Sequence, residues 1–547
     1  MKTGRGAHAS ISDPHAGATP QSAAPTAWSP LRNLLFRNLW IATIVSNVGT
    51  WMQDVGAGWL MTSLSSSPLM VALVEAADSF PLVLLALPAG ALADIVDRRR
   101  LLIGVQIYLL IVAGALGLST LLELTTPWSL LGFTFALGVG TALLLPAWSA
   151  IVPDLVSAEE MPSAIALNSM AVNVSRAIGP AIAGVLVAVV GAWLVFILNA
   201  LSYLGILAVL LRWRREHQKS ALPAERFLSA IRVGMRFVLH TRALQVVLLR
   251  GAAFFVFASA TWSLFPLIVR RELERGPEIY GLLLTCIGIG AVAGAVLLPR
   301  VRAKLSRDVL VAGASVLYAF AALALAHVQN IGFLAVAMLA TGMAWISILS
   351  ALQVAAQLTL PAWVRARGLA AFVVVFMAGM ALGSILWGQV ATHIGIPGSL
   401  TTAALGMVVA VGLTWRYKLG DHKVLDFRPS LDWAAPVLAE VPEPDSGPVL
   451  VTIEYRVQPT KRGEFVAAMQ AVREMRRRNG AYFWELFHDS ADPARYIECF
   501  MDESWVEHLR QHERASVADR EIQKRAKQFL VPGESTKSQH WLADRES

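Results

Sequence analysis

Of the 547 residues, 56% are apolar and only 15% charged, and the mean hydropathy is +0.56. Soluble globular chains carry about 25% charged residues, so the composition excludes an ordinary water-soluble enzyme and requires lipid around much of the surface. Two cysteines exclude a secreted disulfide scaffold, and a formal charge of +8 divided into short arginine runs between apolar segments does not form a nucleic-acid stripe.

Residues 1-30 are rich in Ala, Ser, Pro and Gly and hold no apolar core. They are expected to be a disordered leader and not a signal peptide. About twelve apolar stretches follow, each near the ~20 residues that cross ~30 Å of hydrocarbon. They lie near 38-62, 68-94, 100-123, 127-152, 161-190, 192-212, 244-269, 278-299, 308-327, 331-358, 365-391 and 397-416. The expectation is an all-α membrane protein with an N-terminal six-helix half, 31-212, and a C-terminal one, 244-418. The intervening loop, 213-243, sets Leu228, Ile231, Met235 and Val238 opposite Arg232 and Arg236. That pattern predicts an amphipathic helix on the membrane surface.

A linker, 419-447, precedes a domain over 448-547. There Val449, Val451, Ile453, Tyr455 and Val457 alternate as in a strand, and Phe465, Met469 and Val472 recur as on a helix. Tyr482 to His488 and Arg495 to Met501 read as two further strands, and 503-528 as helical. The order predicts a small ferredoxin-like α+β domain. His508 and His512 stand one turn apart, but no acid or cysteine at zinc-site spacing accompanies them, so solvated positions are expected, with no metal and no cofactor.

Arginines mark alternate loops: Arg98-Arg99-Arg100, the 212-242 segment, Arg300 to Arg307, and Arg365/Arg367. Because Lys and Arg stay on the cytoplasmic side, both termini are expected there, in a multi-pass protein of the bacterial inner membrane. One loop breaks the rule, with Arg270, Arg271 and Arg275 interleaved among Glu272, Glu274 and Glu278.

The chain also repeats itself. A gapless shift of 204 residues superposes Gly90, Gly138, Gly179, Gly184 and Gly191 on Gly294, Gly342, Gly383, Gly388 and Gly395, and Arg98 on Arg302. Five coincident glycines at one shift point to two parallel halves with a cavity at their interface near the bilayer midplane.

Charges inside spans are expensive unless paired or facing water, so Asp54, Glu75, Asp78 and Arg176 are the candidate proton and substrate groups. Glu75 and Asp78, three apart, share a helix face. Competition between a proton and a cationic or polar substrate for such carboxylates is the physical basis of antiport. Helix capping at the outer interface is the alternative for the three acids, and structural pairing for Arg176.

Gly90-Ala91-Leu92-Ala93-Asp94-Ile95-Val96-Asp97-Arg98-Arg99-Arg100 resembles the G-x-L-A-D-x-x-G-R-R-x signature of the major facilitator superfamily, departing from it at Ile95 and Asp97. Gly90 would permit close helix contact, and Asp94 would meet the start of the eleventh helix, near Arg365 and Arg367, in the outward-facing state; Arg98 and Arg99 would anchor the cytoplasmic surface. Gly179-Pro180, followed by Gly184, is similar to the G-P-x-x-x-G segment of exporters in that superfamily, with a kink at Pro180. Trp59-Leu60, Ser67-Pro68 and the run from Pro361 to Gly368 resemble the subgroup that includes the bacterial enterobactin exporter, the transmembrane secretion effectors. The tail, with Trp484, Phe487 and Trp505, looks like a dimeric monooxygenase-type α+β domain.

This resemblance implies proton-linked efflux of a siderophore, drug or lipophilic metabolite by alternating access. The expected partners are the lipid bilayer, a small-molecule substrate, protons and a second copy through the C-terminal domain, with no nucleic acid. No GxxxxGK[ST] motif is present, so an ion gradient must drive such a cycle. Two rival readings are a membrane-tethered enzyme with a redox-active tail and a transporter-derived sensor.

Overall fold

Apolar runs of spanning length become helices. In the computed structural model, which describes residues 26-151, 155-157, 159-213, 227-361, 363-419, 442-443 and 445-543, these are α1 (Leu34–Leu64), α2 (Pro68–Ile95), α3 (Arg98–Leu121), α4 (Pro127–Ile151), α5 (Met161–Val189) and α6 (Ala192–Arg212). After α7 (Phe227–His240) come α8 (Arg242–Leu267), α9 (Pro277–Arg302), α10 (Arg307–His327), α11 (Ile331–Leu358) and α12 (Arg365–Thr414). The starts are set locally. Side chains of Asn33, Asp97, Ser306 and Asn330 accept the orphan N–H groups of α1, α3, α10 and α11, and proline opens α2, α5 and α9, where its missing N–H costs nothing.

Among the described residues, ten helices are long and apolar enough to cross a bilayer. The difference from the expected twelve has two causes. The 50-residue α12 is two spans joined at Gly395, whose φ of +77° ends the first helical leg, and α1 gives up hydropathy to polar residues such as Gln53 and Asp54. Residues 1-25 of the expected leader, and 420-441 of the expected linker, lie outside the described residues. Order begins before residue 31: Ser29–Arg32 forms a single turn with Ser29 and Pro30 buried.

The glycine repeat is the packing rule of the bundle. Gly191 and Gly395 both take positive φ, +114° and +77°, at equivalent turns. A Cβ on Gly184 would lie 2.7 Å from the Pro277 carbonyl of α9, and one on Gly388 would lie 2.5 Å from the Ala72 side chain of α2. Each half therefore lends its fifth helix to the second helix of the other. Within the halves, a Cβ on Gly138 would meet the Asp78 carbonyl at 2.6 Å, and one on Gly342 would press closer still on the Ile287 carbonyl. Such contacts leave no room for any side chain.

The C-terminal domain comprises β1 (Val449–Arg456), α13 (Arg462–Asn479), β2 (Phe483–His488), β3 (Arg495–Asp502), α14 (Trp505–Arg514), α15 (Val517–Lys527) and β4 (Lys537–Leu542). Its sheet is antiparallel with order β2-β3-β1-β4, the ferredoxin-like arrangement. Sequence patterning missed β4, whose polar run Lys537-Ser538-Gln539-His540 lacks alternation. The sheet buries the carboxylate of Glu498, which accepts from Tyr455 at 2.7 Å, Trp484 at 3.0 Å and Arg476 at 3.0 Å, so that buried charge is fully paired.

The expected surface helix has a different setting. Arg232 and Arg236 of α7 bond Glu503 of the C-terminal domain at 2.8 and 3.0 Å, and Arg236 also donates to the Gly480 carbonyl at 2.8 Å. Phe237 and Val238 are buried in the bundle's core, Phe237 edge-on to Trp363 at 5.6 Å. The charged face thus meets the domain, while of the expected apolar face Val238 is buried and Met235 is exposed. The side chains of Leu228 and Ile231 lie outside the described residues.

Candidate functional site

Two spans of the first half carry the carboxylates, Asp54 on α1 and Glu75 and Asp78 on α2, and α5 carries Arg176. All four line one cavity of about 230 Å³ between the halves. Asp54 and Asp78 are accessible although protein surrounds them, because the surface they expose is the cavity wall. The three acids lie near enough to repel one another. Arg176 stacks its guanidinium 5.4 Å from the Trp51 ring centroid, and its buried Nε has no partner among the described residues. Thr134 Oγ1 and Ser263 Oγ, also on the wall, are likewise without a partner there. The second half supplies apolar and aromatic surface: Trp262, Tyr280, Trp345, Phe376 and Met380.

The cavity is sealed at the end carrying the Ser65 turn. There a Cβ on Gly281 would collide with the Pro180 carbonyl and sit 2.9 Å from Gly184 Cα. Arg270 donates to Thr62 at 2.8 Å and lies 5.5 Å over Trp59, and Arg271 donates to the Ser66 carbonyl at 2.8 Å. Two of the three arginines that broke the loop-charge pattern, Arg270 and Arg271, thus latch the halves together. Gly179 packs on α1, its Cβ position 2.5 Å from the Trp51 side chain. Proline at 180 withholds the N–H that the Arg176 carbonyl would accept, and that carbonyl lies against Gly288, 2.8 Å from its Cβ position.

The expected gating motif lies at the Arg98 end. A side chain at Gly90 would meet nothing within 4 Å, so the close contact expected of Gly90 is not made in this state, whereas its repeat partner Gly294 packs 2.9 Å from Met343 Cα. Arg98 opens α3. Arg99 donates to the Leu210 and Leu211 carbonyls at 2.8 and 2.9 Å and so caps α6. Arg365 and Arg367 occupy the first turn of α12, Arg367 lying 3.1 Å from the Cβ position of Gly234 on α7. The side chain of Asp94 lies outside the described residues.

Several groups escaped the sequence reading. Gln53 on the cavity wall accepts from Asn199 of α6 at 2.6 Å, and Asn199 reaches Tyr203 at 3.2 Å. Arg250 forms an ion pair with Asp308, which also accepts the Leu419 N–H at 3.0 Å. A lone amide in α6 and an arginine two turns into α8 were the available signals. His508, expected in solvent, is 1% exposed.

The family model for transmembrane secretion effectors, of major facilitator type, matches residues 25-547. The chain belongs to that family. Its spans are those of a multi-pass membrane protein, and its relatives are transporters. It is 28% identical over 257 residues to the staphyloferrin A transporter of Staphylococcus aureus (strain NCTC 8325 / PS 47), covering 46% of this chain and 64% of that one. Macrolide efflux protein A of Streptococcus pyogenes is 21% identical over 270 residues, covering 48% of this chain and 66% of that one. In both cases the transporter spans less than two thirds of the relative's length. Among solved structures, a bacterial homolog to the human lysosomal transporter Spinster, inward-facing and unoccupied, is similar with a TM-score of 0.56 and 15% identity over 71% of this chain and 97% of that one. A point mutant of the nucleoside transporter NupG has a TM-score of 0.58 and 12% identity over 70% of this chain and 99% of that one. These confirm a major facilitator fold.

Proposed function

We propose that the transporter is a proton-coupled exporter of a small amphiphilic organic molecule, cationic or polar, working by alternating access. The observation that carries this reading is the one cavity holding Asp54, Glu75, Asp78 and Arg176 against an aromatic wall. Three ionised carboxylates beside one guanidinium leave net negative charge, which either protons or a cationic group relieves. The aromatic wall suits an apolar body. Proton and substrate therefore exclude each other, and exclusion across a rocking interface yields antiport.

In this state the Ser65 end is shut by the Gly184–Gly281 contact and the Arg270 and Arg271 latches, while a side chain at Gly90, towards the Arg98 end, would meet nothing within 4 Å. Loop arginines assign the Arg98 end to the cytoplasm, so the cavity faces inward, in the bacterial inner membrane. Opening the other way separates Gly184 from Gly281 and releases the Arg270 and Arg271 latches, while Asp94 approaches Arg365 and Arg367. The names of the relatives, a siderophore transporter and macrolide efflux proteins, support export of such molecules.

The test is flux in everted vesicles holding an acid interior, followed with a pH-sensitive dye while a macrolide, a siderophore or ethidium is added. Wild type is expected to leak protons on addition of at least one of them. Glu75→Gln and Asp54→Asn are expected to lower that coupled flux at least about tenfold, or ~1.4 kcal/mol. Undiminished coupled flux in both variants refutes the assignment.

A further inference from the structure

Three imidazoles converge in the C-terminal domain, far along the chain from the membrane cavity. His508 and His512 come from consecutive turns of α14, and His540 from β4. The His508 ring centroid lies 4.5 Å from that of His512 and 4.8 Å from that of His540. One ligand nitrogen from each ring lies within 4.8 Å of the other two, and the Nε2 atoms of His508 and His512 are 3.0 Å apart.

Asp502 decides the tautomer. Its buried carboxylate lies 2.9 Å from His508 Nδ1, and both side chains are almost wholly buried. The short contact places the proton on Nδ1, donated to the carboxylate, so His508 presents the Nε2 lone pair to its neighbours. A carboxylate behind the ring that fixes tautomer and orientation is what metal-ligating histidines use.

We propose that His508, His512 and His540 bind one divalent first-row transition ion of the Zn²⁺ class, with Asp502 as the orienting carboxylate and a fourth position left for water or an outside ligand. Zinc–nitrogen bonds of about 2.0–2.1 Å in a tetrahedral site set nitrogens roughly 3.3 Å apart. The 3.0 Å pair and the 4.8 Å outer limit bracket that separation. His512 and His540 are partly buried beside the His508 ring that Asp502 holds. An all-nitrogen donor set disfavours Mg²⁺ and Ca²⁺, which take oxygen.

The site stands on the helix that touches the membrane body, since Arg514 at the end of α14 lies 4.8 Å over the Trp363 ring, just before α12. It is distinct from the central cavity and independent of what that cavity carries.

The test uses the full chain in detergent, purified without a histidine tag and stripped with EDTA, then titrated with Co²⁺ while visible absorption is read and Zn²⁺ is added in competition. The expected result is one Co²⁺ per chain with tetrahedral-type bands that Zn²⁺ abolishes. His512→Ala and His540→Ala, both at partly exposed positions, each weaken binding at least about tenfold with unchanged circular dichroism. Asp502→Asn weakens it about 10- to 100-fold, as loss of an outer-shell partner does. No stoichiometric Co²⁺ or Zn²⁺ in the wild type, or equal binding by a His512→Ala/His540→Ala double variant, overturns the proposal and leaves a plain hydrogen bond between two histidines.

Discussion

The two six-helix halves share a scaffold and differ in chemistry. At the positions 204 residues beyond Asp54, Glu75, Asp78 and Arg176 stand Ala258, Ile279, Leu282 and Met380. The glycines at helix crossings persist in both halves because a Cβ at Gly138, Gly184 or Gly342 would lie 2.7 Å or less from a backbone carbonyl, which tolerates nothing larger. Charges carry no such double requirement. One charged wall facing one apolar wall is enough to hold an amphiphile, and a second charged wall would raise the desolvation cost without adding selectivity. The second half spends its charge elsewhere, on the Arg250–Asp308 pair, which is buried in protein and ties α8, α10 and the end of α12 together.

That contrast breaks most visibly at the buried pair. Arg250→Met leaves Asp308 buried and unpaired, and is expected to lower fold stability by about 3–5 kcal/mol. Thermal unfolding in detergent measures it, and the surviving folded fraction should retain coupled flux. A loss of coupling with no loss of stability would place the second half's charge in the transport cycle instead. Arg176→Met, which gives the first half the residue of its counterpart, is expected to cut coupled flux at least about tenfold, ~1.4 kcal/mol, with little change in unfolding temperature. The reciprocal Met380→Leu should change flux by less than about threefold, because volume-conserving apolar swaps are well tolerated. Arg271→Ala removes one exposed latch, and surface interactions of this kind are worth about 1 kcal/mol or less. The population of the state sealed at the Ser65 end should fall by less than about fivefold, as read from spin-label distances.

The bundle was legible because spans are long apolar runs whose ends are marked by Pro68, Pro127, Pro277, Asp97 and Ser306, and because glycine spacing survived duplication. The cavity acids and Arg176 were legible for a related reason: a charge within lipid thickness is conspicuous. What pairs over long separations was not. Arg232 and Arg236 find Glu503 some 270 positions on, a pairing that the amphipathic pattern of α7 could not announce. His540 sits on a polar edge strand without alternation, so His508 and His512 looked like a solvated pair. Arg270 and Arg271 looked like a flaw in the topology signal, since a loop arginine that anchors lipid headgroups and one that latches two halves are the same letters. Gly90 shows the converse limit: its match to the motif was plain, yet a side chain there would meet nothing within 4 Å.

The central claim is that protonation of the first half's carboxylates moves the halves against each other. Spin labels at Ser66 and Glu274, exposed on either side of the seal at the Ser65 end, report that motion directly by pulsed dipolar spectroscopy in lipid nanodiscs. Stepping the pH from acidic to alkaline is expected to redistribute a short and a long distance in the wild type, and to leave the distribution unmoved in an Asp54→Asn/Glu75→Gln/Asp78→Asn variant. A distribution that ignores pH in the wild type, or that shifts equally in the variant, would contradict the account.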